Sequence, residues 1–295
     1  MLVIKLGGGA GNAMEPLLDD IVSSWRGQPW VLVHGGSGRV GEISTALGRP
    51  PQFVTSPSGY TSRRTDRETA LTFTMVCAGD VNKRIVEYLQ ARGVNAFGLS
   101  GLDGGLLRAK RKKAVRVVED GRTRILRDDY TGTLEQVDGD LLRLLLERGY
   151  LPVISPPALS HEGEMVNVDG DRAAAAVAAA LGAESLVLLT GAPGLLRDAR
   201  DPGSLISHLD ATEFDTARRD WAEGRMRIKL KAAEEALDGG VGRVVIAGSD
   251  RDAPLAAALD GGGTVISNDP AISNDPAISN ASTPVMMPAL AETAS

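Results

Sequence analysis

The sequence predicts an α/β protein, a three-layer αβα sandwich built around a mostly parallel central sheet. Short apolar runs alternate with longer amphipathic segments along the first 267 residues, which is the order that repeated strand–helix–strand units produce. The short runs are apolar at consecutive positions, as strands buried on both faces are. Glycines follow several of these runs, so binding groups are expected beyond the carboxyl ends of the strands.

Strands are predicted at short runs that are largely apolar. In order, these runs are 2–4, 30–33, 94–99, 151–154, 186–189, 244–247 and 264–266. Two further segments, 114–118 and 123–126, alternate in polarity around Asp120-Gly121 and predict a β-hairpin.

Helices are predicted where apolar residues recur every three or four positions. These segments are 14–25, 66–93, 141–148, 171–181, 229–237 and 253–259. The longest begins at Asp66, a residue type that caps helix N-termini, and ends at Gly93, a residue type that follows helix C-termini. Leu71, Ile85 and Leu89 are expected on its buried face.

The end of the chain has a different composition. The run Ile-Ser-Asn-Asp-Pro-Ala starts at Ile266 and is repeated from Ile272, and Ala, Ser, Thr and Pro then dominate. Such a segment offers few large side chains to bury, so residues 268–295 are predicted to be a disordered extension.

Composition excludes several classes of protein. A net charge of −6 argues against general nucleic-acid binding, and no run of 18 apolar residues is present. The one cysteine, Cys77, excludes a disulfide framework, and the three histidines have no metal-ligand spacing, so no protein-bound metal is expected. The first residues lack the pattern of a signal peptide, which leads us to expect a cytoplasmic protein.

Two glycine clusters close the first two strands. Lys5-Leu6-Gly7-Gly8-Gly9 follows the first, and His34-Gly35-Gly36-Ser37-Gly38 follows the second. Consecutive glycines let backbone N–H groups converge on an anion, so two such clusters at neighbouring strand ends predict a phosphoryl site. His34 itself could contact phosphate or make a structural hydrogen bond. The match of 36–41 to G-x-G-x-x-G lacks the acidic residue that a dinucleotide site needs about 20 positions later.

Two helix starts carry charged residues that could complete this site. Asp171 follows Asn167-Val168-Asp169-Gly170, where acids would also be favoured simply as helix caps. Lys229 ends Gly-Arg-Met-Arg-Ile-Lys, and so much positive charge at a helix N-terminus is unfavourable unless an anion lies near it.

In this order, these motifs resemble the amino acid kinase family, in particular its acetylglutamate-kinase-like branch. The matching pieces are K-L-G-G-G, H-G-G-S-G, R-R-T-D, N-V-D-G-D-R-A-A, T-G-A-P-G-L-L and G-R-M-R-I-K, spread over residues 1–267. The resemblance implies the carbamate-kinase-like fold, with an N-terminal lobe (1–165) for the amino-acid substrate and dimer contacts. It also implies a C-terminal lobe (166–267) for ATP.

The resemblance also implies a role for each matched residue. Lys5 and Lys229 would stabilise the transferred phosphoryl group, and Asp171 would hold both lysines in place. The other implied contacts are to the substrate through Gly35, Gly36, Arg63 and Asn167, and to ATP through Gly8, Gly9, Thr190, Gly191, Gly194 and Leu195. Mg²⁺ would arrive with the ATP phosphates.

The acceptor is suggested by the run Gly59-Tyr60-Thr61-Ser62-Arg63. It resembles the kinases of this branch that act on 2-aminoadipate attached to LysW, the small acidic amino-group carrier protein of lysine biosynthesis. Arg64, where an aromatic residue is expected, and the tail depart from that pattern. Carrier-bound glutamate, free N-acetylglutamate of arginine biosynthesis, and a non-catalytic amino-acid sensor remain alternatives, although the intact lysines and Asp171 disfavour a sensor.

A basic segment provides an independent argument for an acidic partner. Residues 108–127 contain nine Lys or Arg and two acids in a chain whose net charge is −6. Lys110, Arg111, Lys112 and Lys113 are therefore predicted to dock the acidic carrier, the alternative being a solvated charged hairpin.

The chain begins directly at its first strand. In related arginine-sensitive kinases, an additional N-terminal helix links dimers into hexamers. We therefore expect a homodimer without arginine inhibition, joined through the helix at 66–93.

Overall fold

The computed structural model describes residues 1–8, 14–57, 59–119 and 121–268. Its strands are β1 (Leu2–Leu6), β2 (Trp30–His34), β3 (Phe53–Thr55), β4 (Thr61–Arg63), β5 (Ala96–Gly101), β6 (Leu107–Arg111), β7 (Ala114–Glu119), β8 (Arg122–Arg127), β9 (Gly132–Val137), β10 (Leu151–Ser160), β11 (Met165–Val166), β12 (Ser185–Thr190), β13 (His208–Asp210), β14 (Arg243–Gly248) and β15 (Thr264–Ser267). Its α-helices are α1 (Met14–Ser24), α2 (Ser37–Ala46), α3 (Arg67–Thr74), α4 (Asn82–Gln90), α5 (Gly139–Glu147), α6 (Gly170–Leu181), α7 (Phe214–Thr216), α8 (Arg225–Asp238) and α9 (Pro254–Leu259). No helix in this part of the chain is long and apolar enough to cross a membrane.

Eleven of the described strands form one sheet. Its main order is β13-β15-β14-β12-β1-β2-β10-β6-β9, and β5 and β11 also pair with β10. The centre of the sheet is parallel, whereas β15, β9 and β11 run antiparallel to β14, β6 and β10. This confirms the predicted mostly parallel sheet. β1 pairs with both β2 and β12, so the sheet is continuous across the predicted boundary between the lobes at residue 165. The division into two lobes therefore stays a prediction.

Alternating side chains of the central strands fill two separate apolar layers. On β1, Val3 packs with α6 and α8, whereas Ile4 packs on the opposite face with α1, α4 and α9. The two layers are the predicted outer layers of the αβα sandwich. Lys5 has the same parity as Val3, so its side chain projects toward α6 and α8.

The predicted helix at 66–93 is present but is not uniformly α-helical. Asp66 caps it by accepting a hydrogen bond from the Thr69 N–H at 2.9 Å, and Met75–Val81 between α3 and α4 forms a π-helical segment. A π-helical turn contains more residues than an α-helical turn, so it shifts the buried face along the helix. For this reason Ile85 and Leu89 are buried as expected, whereas Leu71 is 41% exposed and its predicted burial is wrong.

A smaller sheet, in the order β4-β3-β7-β8, lies outside the main one. It joins the predicted hairpin, observed as β7 and β8, to a second hairpin of β3 and β4 that the sequence did not indicate. The structure also contains α2, β6 and β9, which were not predicted. Lys110 and Arg111 consequently belong to β6 of the main sheet and not to the hairpin.

Candidate active site

Three buried charged side chains meet near the carboxyl end of β1. Lys5 comes from β1, Asp171 from the first turn of α6 and Lys229 from the second turn of α8. The Lys5 Nζ lies 2.6 Å from Asp171 Oδ1, and the Lys229 Nζ donates to Asp171 Oδ2 at 2.9 Å. The three side chains are only 7–9% exposed. The structure therefore brings together the three residues that the resemblance implies are catalytic.

The charges in this cluster depend on one another. Burial alone would raise the pKa of the Asp171 carboxyl, but the ammonium groups of Lys5 and Lys229 outweigh burial and hold that pKa well below its usual range. Burial and the neighbouring Lys5 lower the pKa of Lys229, and Asp171 opposes that change. Asp171 thus pairs directly with both lysines, and the carboxylate of Asp169 also lies within electrostatic range of the two ammonium groups.

The orientation of Asp171 is set by the start of α6 and by its contact with α8. The helix cap is Asp169, whose Oδ1 accepts hydrogen bonds at 3.0 Å from the N–H groups of Asp171 and Arg172. Arg172 then forms two hydrogen bonds to Glu235 of α8, at 2.8 Å and 2.7 Å. These contacts attach the helix that carries Asp171 to the helix that carries Lys229.

The two glycine clusters lie against each other beside β1 and β2. A Cβ on Gly8 would lie 2.1 Å from the Gly36 nitrogen, and one on Gly36 would lie 2.8 Å from the Cys77 sulfur. The Gly35 N–H donates to the Leu6 carbonyl at 3.0 Å. Side chains at these positions would therefore force the two backbones apart. The sequence predicted this convergence, and the close approach explains why glycine is needed there.

His34 has a structural role beneath the second glycine cluster. Its imidazole is fully buried, lies 2.8 Å from the Gly35 carbonyl through Nδ1, and accepts from Asn82 Nδ2 at Nε2 with a distance of 3.1 Å. Asn82 also donates to the Val153 carbonyl at 2.9 Å. Burial lowers the pKa of His34 to about 4. The ring is therefore neutral at pH 7 and supports the backbone rather than binding phosphate.

Arg63 reaches the start of α2 from the end of β4. Its Nη2 donates to the Ser37 carbonyl at 3.0 Å, and its Nη1 is buried without a hydrogen-bond partner among the described residues. Asn167 is connected to the same region because its Nδ2 lies 3.5 Å from Thr65 Oγ1, and that hydroxyl donates to the Arg63 carbonyl at 3.1 Å. A guanidinium with an unused buried donor suits a carboxylate ligand.

The residues implied to line the ATP site divide into two groups. Thr190 is the last residue of β12, and the exposed Gly191 follows it. They lie two and three residues beyond Leu188, which pairs with Lys5 in the register of β12 and β1. Leu195, in contrast, is fully buried and its N–H donates to Thr264 Oγ1 at 2.8 Å. Gly194 is packed against Leu205 and Thr264 as well. Gly9 lies outside the described residues.

The four basic residues proposed to dock the carrier have different environments. Arg111 is mostly buried: its guanidinium donates to Glu164 at 2.8 Å and lies 3.6 Å from the centre of the Tyr130 ring. Lys113 is exposed and pairs with Glu162 at 3.1 Å. Lys110 and Lys112 are exposed. Arg111 therefore fixes the local fold, while the other three remain accessible.

Sequence reasoning assigned no role to two residues of this site. Ser37 is the first residue of α2, and the Arg225 guanidinium lies 3.4 Å from its hydroxyl. Arg225 belongs to a motif that was recognised, but its role depends on a helix, α2, that was not predicted. Among the described residues, no group of three or more His, Cys, Asp or Glu side chains could hold a metal ion.

Comparison with known proteins identifies the family of the chain. Residues 1–248 match the amino acid kinase family. The chain is 52% identical over 268 residues to the [LysW]-aminoadipate kinase of Deinococcus radiodurans, covering 90% of this chain and 91% of that protein. It is 48% identical to the [LysW]-aminoadipate kinase of Thermus thermophilus (90% and 100% covered). It is also 36% identical to the [LysW]-aminoadipate/[LysW]-glutamate kinase of Saccharolobus solfataricus (91% and 100% covered).

Solved structures share the fold. An N-acetylglutamate synthase from Neisseria gonorrhoeae, solved with coenzyme A and N-acetyl-glutamate, superposes with a TM-score of 0.72 at 30% identity. The match covers 91% of this chain but only 59% of that one, so this chain spans about three-fifths of the synthase. The carbamate kinase of Giardia lamblia bound to AMP-PNP gives a TM-score of 0.62 at 16% identity, with 91% and 98% covered, which shows the fold alone.

Proposed function

The chain belongs to the amino acid kinase family, and on that premise we propose that it phosphorylates the side-chain carboxylate of 2-aminoadipate attached to the carrier protein LysW. ATP is the phosphoryl donor and the product is an acyl phosphate of lysine biosynthesis, made in the cytoplasm. The observation that carries the proposal is the buried Lys5–Asp171–Lys229 cluster next to two converging glycine clusters, in a chain 52% identical to a [LysW]-aminoadipate kinase.

The chemistry needs charge and position rather than a base. The acceptor carboxylate is already ionised at pH 7, so no proton has to be removed from it. The difficulty is to bring one anion to another and to stabilise charge on the transferred phosphoryl oxygens. Lys5 and Lys229 provide two preorganised cations, and backbone N–H groups near Gly8 and Gly36 provide neutral donors. Mg²⁺ bound to the ATP phosphates would supply further charge neutralisation.

The acceptor side of the site lies at the end of the small sheet. Arg63 has an unused buried Nη1 and is suited to bind the α-carboxylate, with Asn167 close to it. An amino acid whose amino group is linked to a carrier still presents both of its carboxylates. Arg63 can therefore bind one carboxylate while the other reaches the phosphoryl site.

A basic surface extends from this acceptor site across the small sheet and the neighbouring β6. It consists of the exposed residues Lys110, Lys112, Lys113, Arg116 and Arg127, whereas the register of β7 and β8 places Arg122 and Arg124 on the opposite face of the small sheet. Ile125 and Phe53 add exposed apolar area to the same sheet, at 58% and 59% exposure. Since β4 of this sheet ends at Arg63, a carrier docked on the basic surface could extend its substrate into the site. An acidic partner fits such a surface by charge.

The candidate acceptors differ in side-chain length and in the group attached to the amino nitrogen. Aminoadipate and glutamate differ by one methylene, which a site distinguishes by only about 1–3 kcal/mol. The relative from S. solfataricus is named for both activities. Free N-acetylglutamate is the other candidate acceptor. ATP turnover with carrier-bound aminoadipate, carrier-bound glutamate and N-acetylglutamate tests all three. The proposal requires the highest kcat/KM with carrier-bound aminoadipate and fails if N-acetylglutamate is preferred.

A homodimer joined through the long helix is also part of the proposal. Leu71 in α3 and Met75 at the start of the π-helical segment are four residues apart and are 41% and 54% exposed, so they form an apolar stripe on the long helix. Light scattering should give the mass of a dimer, unchanged by arginine, and a hexamer would contradict this.

A further inference from the structure

A second arginine lies at the entrance to the phosphoryl site. Arg225 is the first residue of α8, one helical turn before Lys229, so the two side chains project from the same face of the helix. Both terminal nitrogens of Arg225 lie 3.4 Å from the Ser37 hydroxyl oxygen. The open edge of the guanidinium is thus directed at one oxygen, which is the geometry that binds a carboxylate through two hydrogen bonds.

Arg63 approaches Ser37 from the opposite side. Its Nη2 donates to the Ser37 carbonyl, and its Nη1 is buried without a hydrogen-bond partner in the described residues. Burial and the charge of Arg225 both lower the pKa of Arg63, which reflects how close the two guanidiniums are. Within residues 1–8, 14–57, 59–119 and 121–268, neither arginine is within salt-bridge distance of a carboxylate. Arg225 is exposed and Arg63 is partly buried, so the two guanidiniums repel each other only moderately, and a ligand carboxylate between them would relieve that repulsion.

We propose that Arg225 binds the distal carboxylate of the acceptor, the group that receives the phosphoryl, while Arg63 binds the α-carboxylate. This inference rests on the proposed function, because it requires an acceptor with two carboxylates. Arg225 lies between Arg63 and Lys229, just as the distal carboxylate lies between the α-carboxylate and the phosphoryl group. Arg225 is thus a specificity-determining residue that selects a dicarboxylic acceptor.

The step that Arg225 assists is a balanced transfer. One oxygen of the distal carboxylate forms a bond to the γ-phosphorus of ATP, and the bond from that phosphorus to the bridging oxygen breaks. The leaving ADP keeps the electron pair, and no proton moves. Arg225 holds the attacking carboxylate against the repulsion of the phosphates, and this contributes mainly to acceptor binding and orientation.

The test compares two forms of one acceptor. The substrate is carrier-bound 2-aminoadipate, and the probe is the same molecule with its distal carboxylate converted to a carboxamide, used as a competitive inhibitor. Arg225→Gln should raise the KM of the substrate roughly 10- to 100-fold, the range for losing hydrogen bonds to a charged group. The KM of ATP and the inhibition constant of the carboxamide should change less than about threefold. Arg225→Lys should recover part of the loss.

Two variants serve as controls. Arg63→Gln should weaken the substrate and the carboxamide alike, because both carry the α-carboxylate. Lys231→Gln removes one exposed charge from the same helix and should change neither. Thermal unfolding of each variant checks that it is folded.

The inference is overturned if Arg225→Gln weakens the substrate and the carboxamide equally, or affects only ATP. If wild type turns over carrier-bound glutamate or N-acetylglutamate instead, the proposed function fails. The same comparison then applies to that acceptor and its carboxamide, so the role of Arg225 is still decided.

Discussion

The buried cluster of Lys5, Asp171 and Lys229 and the exposed basic surface use positive charge in opposite ways. In the cluster, two ammonium groups share one carboxylate, and no side chain is more than 9% exposed. On the basic surface, five cations are exposed, and the ion pair between Lys113 and Glu162 is exposed as well. Buried charges act at short range and weaken little with salt, whereas exposed charges act at long range and are screened. The difference predicts that the buried cluster takes part in phosphoryl transfer and that the basic surface attracts the partner protein.

Removing a lysine from the buried cluster should have the largest effect. Lys5→Ala and Lys229→Ala should each lower kcat by roughly 10²–10³-fold, as loss of one preorganised charge donor does. Acceptor and ATP affinities should change less, and the loss should persist at high salt. Steady-state kinetics at low and high salt measures this. A near-normal kcat for either variant would show that its lysine does not take part in the phosphoryl transfer.

The free energy of unfolding should depend on pH through His34, which lies beneath the second glycine cluster. Burial lowers the pKa of His34 from its ordinary value near 6.5 to about 4, so the folded protein holds this ring neutral while the unfolded chain protonates it. The stability contributed by the neutral ring is therefore fully present above pH 6.5 and is lost as the pH falls toward 4, by roughly 3 kcal/mol.

Denaturant unfolding between pH 7 and pH 4 tests this. Over that range, His34→Asn should lose less stability than wild type. His161→Asn, which removes an exposed ring, should follow wild type. Parallel curves for His34→Asn and wild type would show that the buried ring does not resist protonation.

Neutralising the basic surface should have a smaller effect that depends on salt. Changing Lys110, Lys112, Arg116 and Arg127 together to Gln should lower kcat/KM for the carrier-bound substrate about 3- to 30-fold at low salt, through slower encounter. The loss should shrink as salt rises, since the Debye length falls from about 10 Å at 0.1 M to about 3 Å at 1 M. Arg111 is left unchanged because it is held by Glu164.

The matched control for that variant changes four exposed cations elsewhere, Arg200, Arg219, Lys231 and Arg251, by the same total charge. It should retain most of its kcat/KM. An equal loss of kcat/KM in both variants would show that net charge alone attracts the carrier. An unchanged kcat/KM in both would show that the basic surface does not bind the carrier.

The smallest effect is expected at the end of the chain. Residues 269–295 lie outside the described residues, and their sequence is the repeat followed by small and polar residues. Removing them should leave kcat and thermal stability unchanged, because few large apolar side chains are lost. A truncated protein that aggregates or loses turnover would contradict this.

Local signals in the sequence predicted much of the fold and part of the site. Uninterrupted apolar runs indicated the central strands, including β1 and β12, because strands buried on both faces need apolar side chains at every position. Asp66 indicated a helix start through its capping chemistry. The positions near Lys5, Asp171 and Lys229 were found because glycines and charges at strand and helix ends are unusual without a ligand.

Features that depend on long-range packing were not visible in the sequence. The π-helical segment at Met75–Val81 exposes Leu71 against a regular helical pattern, and only the packing of the helix on the sheet decides this. In the sequence, Arg111 resembles its basic neighbours. In the structure, it differs from them because its guanidinium contacts Glu164 and Tyr130. Residue type alone does not reveal whether a cation is paired.

The sequence by itself determined which residues could carry charge to a phosphoryl group, since side-chain chemistry and backbone freedom belong to each residue. Only the tertiary structure decided which of them act together. Asp171 and Lys229 are 58 positions apart and meet because α6 and α8 pack on the same face of the sheet. Arg63 and Arg225 meet because both reach the first residue of α2. Such meetings are set by the sum of many weak packing contacts across the chain, which no local pattern records.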